Sequence, residues 1–238
     1  MRFAFFFCML LFTMSPRASE AACRQALALG LDVSGSVDLK EYRLQLDGLI
    51  TALNDPEVAS KLFAMPDAPI HLLVYEWSGP DDQAVLVQWT AVSNREVLDE
   101  ISLTLAQTER RNATPGTALG VAMQLGAEFL DQKPECWKRT LDISGDGESN
   151  FGPRPRHVKE AIGARGITIN ALVIGADAPS IGDQRQAEIS ELSSYFSAEV
   201  IVGKDAFVQT ALGFDSYAEA MTLKLKRELE GLVLGALQ

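Results

Sequence analysis

The stretch "LALGLDVSGSVD", residues 27–38, decides the fold. Its first half is an apolar run of the length and character of a buried strand, and it stops abruptly in Asp32, Ser34, Gly35, Ser36 and Asp38. A strand hydrophobic on both faces belongs in the middle of a parallel sheet. In such sheets ligands bind beyond the carboxyl ends of the strands, where the topology switches direction. The polar cluster therefore stands where a ligand site belongs, although Asp32 and Ser34 taken alone also suit a turn followed by a helix cap.

Outward from this stretch, strand-like and helix-like segments alternate to the end of the chain, the pattern of an α/β domain with a mostly parallel central sheet and helices on both faces. The first strand is expected at about residues 26–32. Asp38 with Glu41 three residues later is a capping box for a helix whose apolar positions are Tyr42, Leu44, Leu46, Leu49, Ile50 and Leu53. "IHLLVYEW" and "AVLVQWT" are separated only by "SGPDDQ", too short for a crossover helix, so they pair as an antiparallel hairpin. Helices at about 94–108 and 117–132 precede the strand "RTLDIS" and the Gly- and Pro-rich loop "GDGESNFGPRPRH". The helix "VKEAIGARG" should end at a left-handed Gly166. "ITINALVIG" is a strand, "ADAPSIGDQ" a loop, "QAEISELSSYF" a helix and "AEVIVG" the last strand, before two closing helices. The final helix repeats Phe214, Ala218, Met221, Leu225, Leu229 and Leu232 at helical spacing.

The start of the chain, "MRFAFFFCMLLFTM", joins Arg2 to an apolar run too short to span a bilayer, which reads as a secretory signal peptide. Ser19-Glu20-Ala21 offers small residues for cleavage after Ala21, giving residues 1–21 as signal and 22–238 as one domain. An uncleaved anchor is the alternative for the same run. The C-terminal "GLVLGALQ" is too short to cross a membrane, so no stable span remains after cleavage. The formal charge is −11; residues 1–21 carry Arg2, Arg17 and Glu20, a net +1, so their loss leaves −12. This balance argues against nucleic acid and anionic lipid as partners and favours cations.

Cys23 lies nine residues before Asp32, and Cys136 ten before Asp146, each near the start of an apolar strand ending in an aspartate. If those strands are parallel neighbours, the cysteines fall side by side at the opposite edge of the sheet. A Cys23–Cys136 disulfide follows, with two buried thiols as the alternative; the bridge would contribute about 3–5 kcal/mol in the chain-entropy view.

Three polar clusters fall at strand ends: Asp32-Val33-Ser34-Gly35-Ser36, then Thr117 in "RNATPGTALGVAM", then Asp146 in "SGDGESN". Thr114 is the rival to Thr117, but Pro115 and Gly116 place Thr117 as the residue opening a helix. Two carboxylates and three hydroxyls, with no Cys or His among them, are hard oxygen ligands and favour Mg²⁺, Mn²⁺ or Ca²⁺. Few direct carboxylates leave positions for water and for an outside ligand. Asp142, inside a strand, needs a buried partner, for which Arg139 is the candidate, and Glu76 and Trp77 read as packing and edge residues.

"DVSGS", "GTALGVAM" and "SGDGES" resemble the motifs of the von Willebrand factor type A (vWA) domain, a Rossmann-like fold with a metal-ion-dependent adhesion site at the top of its sheet. The resemblance implies that Asp32, Ser34, Ser36, Thr117 and Asp146 hold the metal and that an Asp or Glu of a protein partner completes its coordination. "LDVSGSVDLKEYRLQLDGL", "YEWSG", "ISGDGESN", "GITINALVI" and "DAFVQTA" further resemble a domain-of-unknown-function family of secreted bacterial vWA proteins, implying a periplasmic or secreted location. One departure is Gly145, where that pattern has Thr or Ser before the aspartate; Ser144 or Ser149 are the available replacements.

Two functions fit these residues: a metal-dependent protein-binding module, or a Mg²⁺-dependent hydrolase or phosphoryl-transfer enzyme using the same site. The binding module is favoured. The only histidines are His71 and His157, and neither a Gly-x-Ser-x-Gly elbow nor a phosphate-cradling glycine loop with lysine occurs. The loop "FGPRPRH" adds Arg154 and Arg156 as a basic rim suited to steering an acidic partner.

Overall fold

In the computed structural model, residues 22–175 and 182–230 are described. The expected signal segment, most of the "ADAPSIGDQ" loop and Leu232 lie outside them. The elements run β1 (Cys23–Asp32), α1 (Leu39–Asn54), α2 (Pro56–Phe63), β2 (Ile70–Trp77), β3 (Gln83–Val92), α3 (Arg95–Gln107), α4 (Leu119–Asp131), β4 (Cys136–Gly145), α5 (Pro155–Gly163), β5 (Ile167–Ile174), α6 (Gly182–Glu199), β6 (Val208–Ala211), a 3-10 turn (Phe214–Ser216) and α7 (Tyr217–Glu230). The sheet has the order β3-β2-β1-β4-β5-β6. All pairs are parallel except β2–β3, the hairpin expected from its short connection.

β1 is buried along its whole length, as its composition requires. Leu27, Leu29 and Leu31 enter one core with residues of α1, α2, α3 and α7, whereas Ala26 and Ala28 enter the other with α4, α5 and Phe196 of α6. The small residues on the second face admit Tyr75 of β2. A Cβ at Gly30 would sit 2.6 Å from the Tyr75 hydroxyl, which donates to Ala122 O of α4 at 2.8 Å. Each fully buried leucine stabilises the fold by about 1.5–3 kcal/mol, so three on one strand make β1 the spine of the sheet. From β1 the chain moves to β2 and β3, then crosses back to β4 on the other side. The carboxyl ends of β1 and β4 are therefore the switch point of the topology.

Asp38 caps α1 as expected: its side chain accepts from Glu41 N at 2.8 Å, and its own N–H donates to the Glu41 carboxylate at 2.7 Å. Cys23 and Cys136 are register partners on β1 and β4 and form the disulfide, with Cα atoms 4.5 Å apart. Among the described residues no helix is long and apolar enough to cross a membrane.

Several expectations are corrected. "AEVIVG" is not a strand: Ala198 and Glu199 end α6, Val200 and Ile201 N–H groups return to Phe196 O, and Val202 makes one isolated bridge to Ile169. The chain then turns through Gly203 and Asp205, both at positive φ, and the last strand is Val208–Ala211. α4 starts at Leu119, two residues beyond Thr117, and α5 ends at Gly163, with Gly166 at φ +73° three residues later. Asp142 is not paired with Arg139. It meets Lys224 Nζ of α7 at 2.5 Å, and Lys224 also holds Glu228 at 3.1 Å. Arg139 instead pairs with Asp131 at 3.3 Å and donates to Arg165 O. Burial pushes the Asp142 carboxyl up to about 8 in spite of Lys224. Glu76 is no edge residue either: it is buried, bound to Arg111 and accepts from the Tyr42 hydroxyl at 3.0 Å.

Candidate metal centre

β1 delivers Asp32 fully buried to the switch point. Its Oδ1 accepts from Ser34 N at 2.8 Å, which closes the tight turn of the Asp32–Ser36 loop. Ser34 Oγ lies 3.3 Å from Ser36 Oγ, and Ser36 Oγ donates to Asp146 Oδ1, just past β4, at 2.8 Å. Four of the five expected residues thus form one hydrogen-bonded run.

Thr117 joins them by loop packing. Its N–H donates to Asn150 Oδ1 at 2.8 Å and its carbonyl accepts from Asn150 N at 3.0 Å, tying it to the loop that carries Asp146. Gly35 N donates to Pro115 O at 3.3 Å, so the Thr117 segment also touches the Ser34–Ser36 loop. The Thr117 hydroxyl makes no hydrogen bond among the described residues and is free to serve as a ligand. Thr114 is engaged elsewhere, its hydroxyl and N–H both binding Asp82.

Asp32 Oδ2 is buried without a hydrogen-bond partner. Burial first and the Asp146 carboxylate second push the Asp32 carboxyl up to about 7, and burial raises Asp146 as well. Gly145 accounts for part of this: a Cβ there would stand 3.4 Å from Asp32 Oδ2, so the hydroxyl of a Ser or Thr at that position is missing. Neither expected replacement reaches Asp32. Ser144 donates to Gly30 O and Gln45 Oε1, and Ser149 to Thr117 O and Phe151 O. An orphaned buried carboxylate oxygen, a second carboxylate beside it, the free Thr117 hydroxyl and the Ser34 and Ser36 hydroxyls along the same run fit a hard divalent cation, which would remove both the desolvation and the repulsion.

Three supporting residues were not read from the sequence. Gln45 of α1, fully buried, donates to Asp32 O at 3.0 Å and accepts from Ser144 at 3.1 Å. Arg110 clasps the loop by donating to Val37 O at 2.5 Å and Val33 O at 3.4 Å. Asn150 holds Thr117. Only Gln45 left a signal, as a polar residue between Tyr42 and Leu46 on the apolar face of α1. Of the basic rim, Arg156 is paired with Glu199 at 3.0 Å, while Arg154 is exposed at the N-terminus of α5.

A family profile described as "Protein of unknown function (DUF1194)" matches residues 22–233. The chain belongs to this family. No curated protein sequence matches this DUF1194 chain. Its fold is that of the vWA domain. It is similar to proximal thread matrix protein 1 from the mussel byssus, in a structure with a zinc-occupied MIDAS motif, at 14% identity and a TM-score of 0.59, covering 88% of this chain and 46% of that one. It is similar to the pilus adhesin SpaC of Lactobacillus rhamnosus GG at 13% identity and TM-score 0.58, over 91% of this chain and 31% of the adhesin. A von Willebrand factor type A protein of Catenulispora acidiphila matches at 14% and 0.56, over 89% and 43%. The DUF1194 chain spans less than half the length of each of these three.

Proposed function

We propose that this DUF1194 protein is a divalent-metal-dependent, adhesion-type protein-binding module. Asp32, Ser34, Ser36, Thr117 and Asp146 hold the metal, Mg²⁺ by the hardness of the donors with Mn²⁺ or Ca²⁺ as substitutes, and a carboxylate of a protein partner takes a remaining position. The observation that carries this reading is the buried, unpartnered Asp32 Oδ2 beside a second carboxylate at the switch point. The metal supplies positive charge that an acidic side chain can bind directly. The protein's own residues orient the site: Gln45 and Arg110 fix the β1 loop, and Asn150 fixes Thr117.

Residues 1–21 act as a secretory signal and 22–238 as one domain, working in the bacterial periplasm or outside the cell. Arg154, with Arg156 beside it, steers the acidic partner. The hydrolase reading gains nothing from His71, which lies beside the Cys23–Cys136 bridge at the far edge of the sheet.

Capture of partners from an envelope extract, with and without chelator and with Asp32→Ala as control, tests the function. A partner retained by the native protein in Mg²⁺ and lost on chelation or mutation supports it; a partner indifferent to both refutes it. Charge reversal at Arg154 and Arg156 should slow that association and flatten its salt dependence.

A further inference from the structure

At the edge of the sheet opposite the carboxylate site, three soft or borderline ligands converge. The Sγ atoms of Cys23 and Cys136 and a ring nitrogen of His71 all lie within 4.8 Å of one another. They come from three adjacent strands: Cys23 from β1, Cys136 from β4 and His71 from β2, which flanks β1 on its other side. Regular, paired strands hold ligands more rigidly than loops do. Both cysteines are buried and His71 is half-buried, so the cluster is shielded while the imidazole edge keeps a path to solvent.

Zinc bonds to thiolate sulfur at about 2.3 Å and to imidazole nitrogen at about 2.0–2.1 Å, which puts ligand atoms about 3.5–3.8 Å apart on a tetrahedral ion. The His71 ring nitrogen lies within 4.8 Å of both sulfurs, and breaking the disulfide lets the sulfurs separate toward that spacing. In the disulfide the sulfurs are bonded to each other and are poor ligands. Reduction changes them into two thiols that lose their protons to a metal.

We propose that Cys23, His71 and Cys136 form a redox-gated zinc site, closed as the disulfide and opened by a dithiol reductant. The reductant gives two electrons and two protons: its own thiols become a disulfide, the Cys23–Cys136 bond breaks, and both sulfurs become thiols. Zinc then forms two Zn–S bonds and one Zn–N bond and releases two protons to solvent, with water in the fourth position. Glu135, adjacent to Cys136, is ion-paired with Lys133 at 3.8 Å, and both charges act on His71. The metal ties β1 to β4 again, so the reduced chain keeps a crosslink at the place where it lost the covalent one.

The site is independent of the carboxylate centre, and the full chain carrying Asp32→Ala separates the two. In that background, zinc bound after dialysis and the spectrum of the cobalt(II)-substituted protein are measured with the disulfide intact and after reduction, while circular dichroism follows the fold. The reduced protein should take up one additional equivalent of zinc and show a thiolate-to-cobalt charge-transfer band absent from the oxidised protein. His71→Ala, which keeps the disulfide and so controls for folding, should weaken uptake more than about tenfold. Cys136→Ser should abolish the band. Equal uptake in both redox states, uptake unaffected by His71→Ala, or a reduced chain that takes no zinc, folded or unfolded, overturns the proposal.

Discussion

Ser36 Oγ donates to Asp146 Oδ1 at 2.8 Å, closing a contact between residues 110 apart in the chain. This bond draws the loop after β1 and the loop after β4 to a common point across the switch of the sheet. Titration of Mg²⁺ or Mn²⁺ by calorimetry should therefore show no measurable binding for Asp32→Ala and affinity weakened at least about tenfold for Ser36→Ala. Unchanged affinity in Ser36→Ala would take this hydroxyl out of the site.

Metal-free protein should lose stability as pH rises. Asp32 titrates near 7 in the fold, pushed up by burial and by Asp146, against about 4 when unfolded. Between those values the native state holds a proton the unfolded chain has released, so stability declines as pH climbs through the window. Thermal melts in chelator should show the decline, Asp32→Asn should lessen it, and only the native protein should be rescued by Mg²⁺. A metal-dependent rise in Tm that survives in Asp32→Asn contradicts this account.

Lys224→Met should be among the most damaging substitutions, at about 3–5 kcal/mol, because it leaves buried Asp142 and Glu228 without their cation. Asp142 already sits near 8 through burial, and losing Lys224 removes the attraction that held it down. A carboxyl raised in the fold stabilises less as pH rises, so the deficit should shrink in acid. Guanidinium denaturation at mildly acidic and mildly alkaline pH measures this; a deficit equal at both shows that Lys224 does not act on Asp142 as a charge.

Arg110→Ala removes the donor that bridges Val33 O and Val37 O and should weaken metal binding while leaving the circular dichroism spectrum unchanged. Arg110→Lys should restore only part of the affinity, because an ammonium does not reproduce the spread of guanidinium donors. Metal affinity equal to native in Arg110→Ala would limit this residue to loop packing.

The features legible in the sequence were those with local causes. The apolar run of β1 marked it as a buried strand, the short "SGPDDQ" connection required a hairpin, and nearly equal distances from cysteine to aspartate on two strands, nine and ten residues, set the disulfide opposite the carboxylates. What escaped depended on distant partners. Lys224 and Glu228 look like an ordinary i, i+4 surface pair until α7 packs them over Asp142, 82 residues earlier than the lysine. "AEVIVG" has the composition of a strand, but the end of α6 takes its first half and the Gly203–Asp205 turn cuts off the rest. Arg110 and Asn150 sit in loops whose side chains gain meaning only when the loops after β1, α3 and β4 are assembled.

The Cys23–Cys136 bridge also decides how the molecule carries tension. The two cysteines are 113 positions apart, so a pull entering at Ala22 passes from β1 straight into β4 through sulfur. The intervening chain, with the loops of Ser34, Ser36 and Thr117, is bypassed and bears none of that load directly. Slack is available only beyond Cys136, on the side of Asp146, and reduction of the bridge would return the whole bypassed length to the line of force.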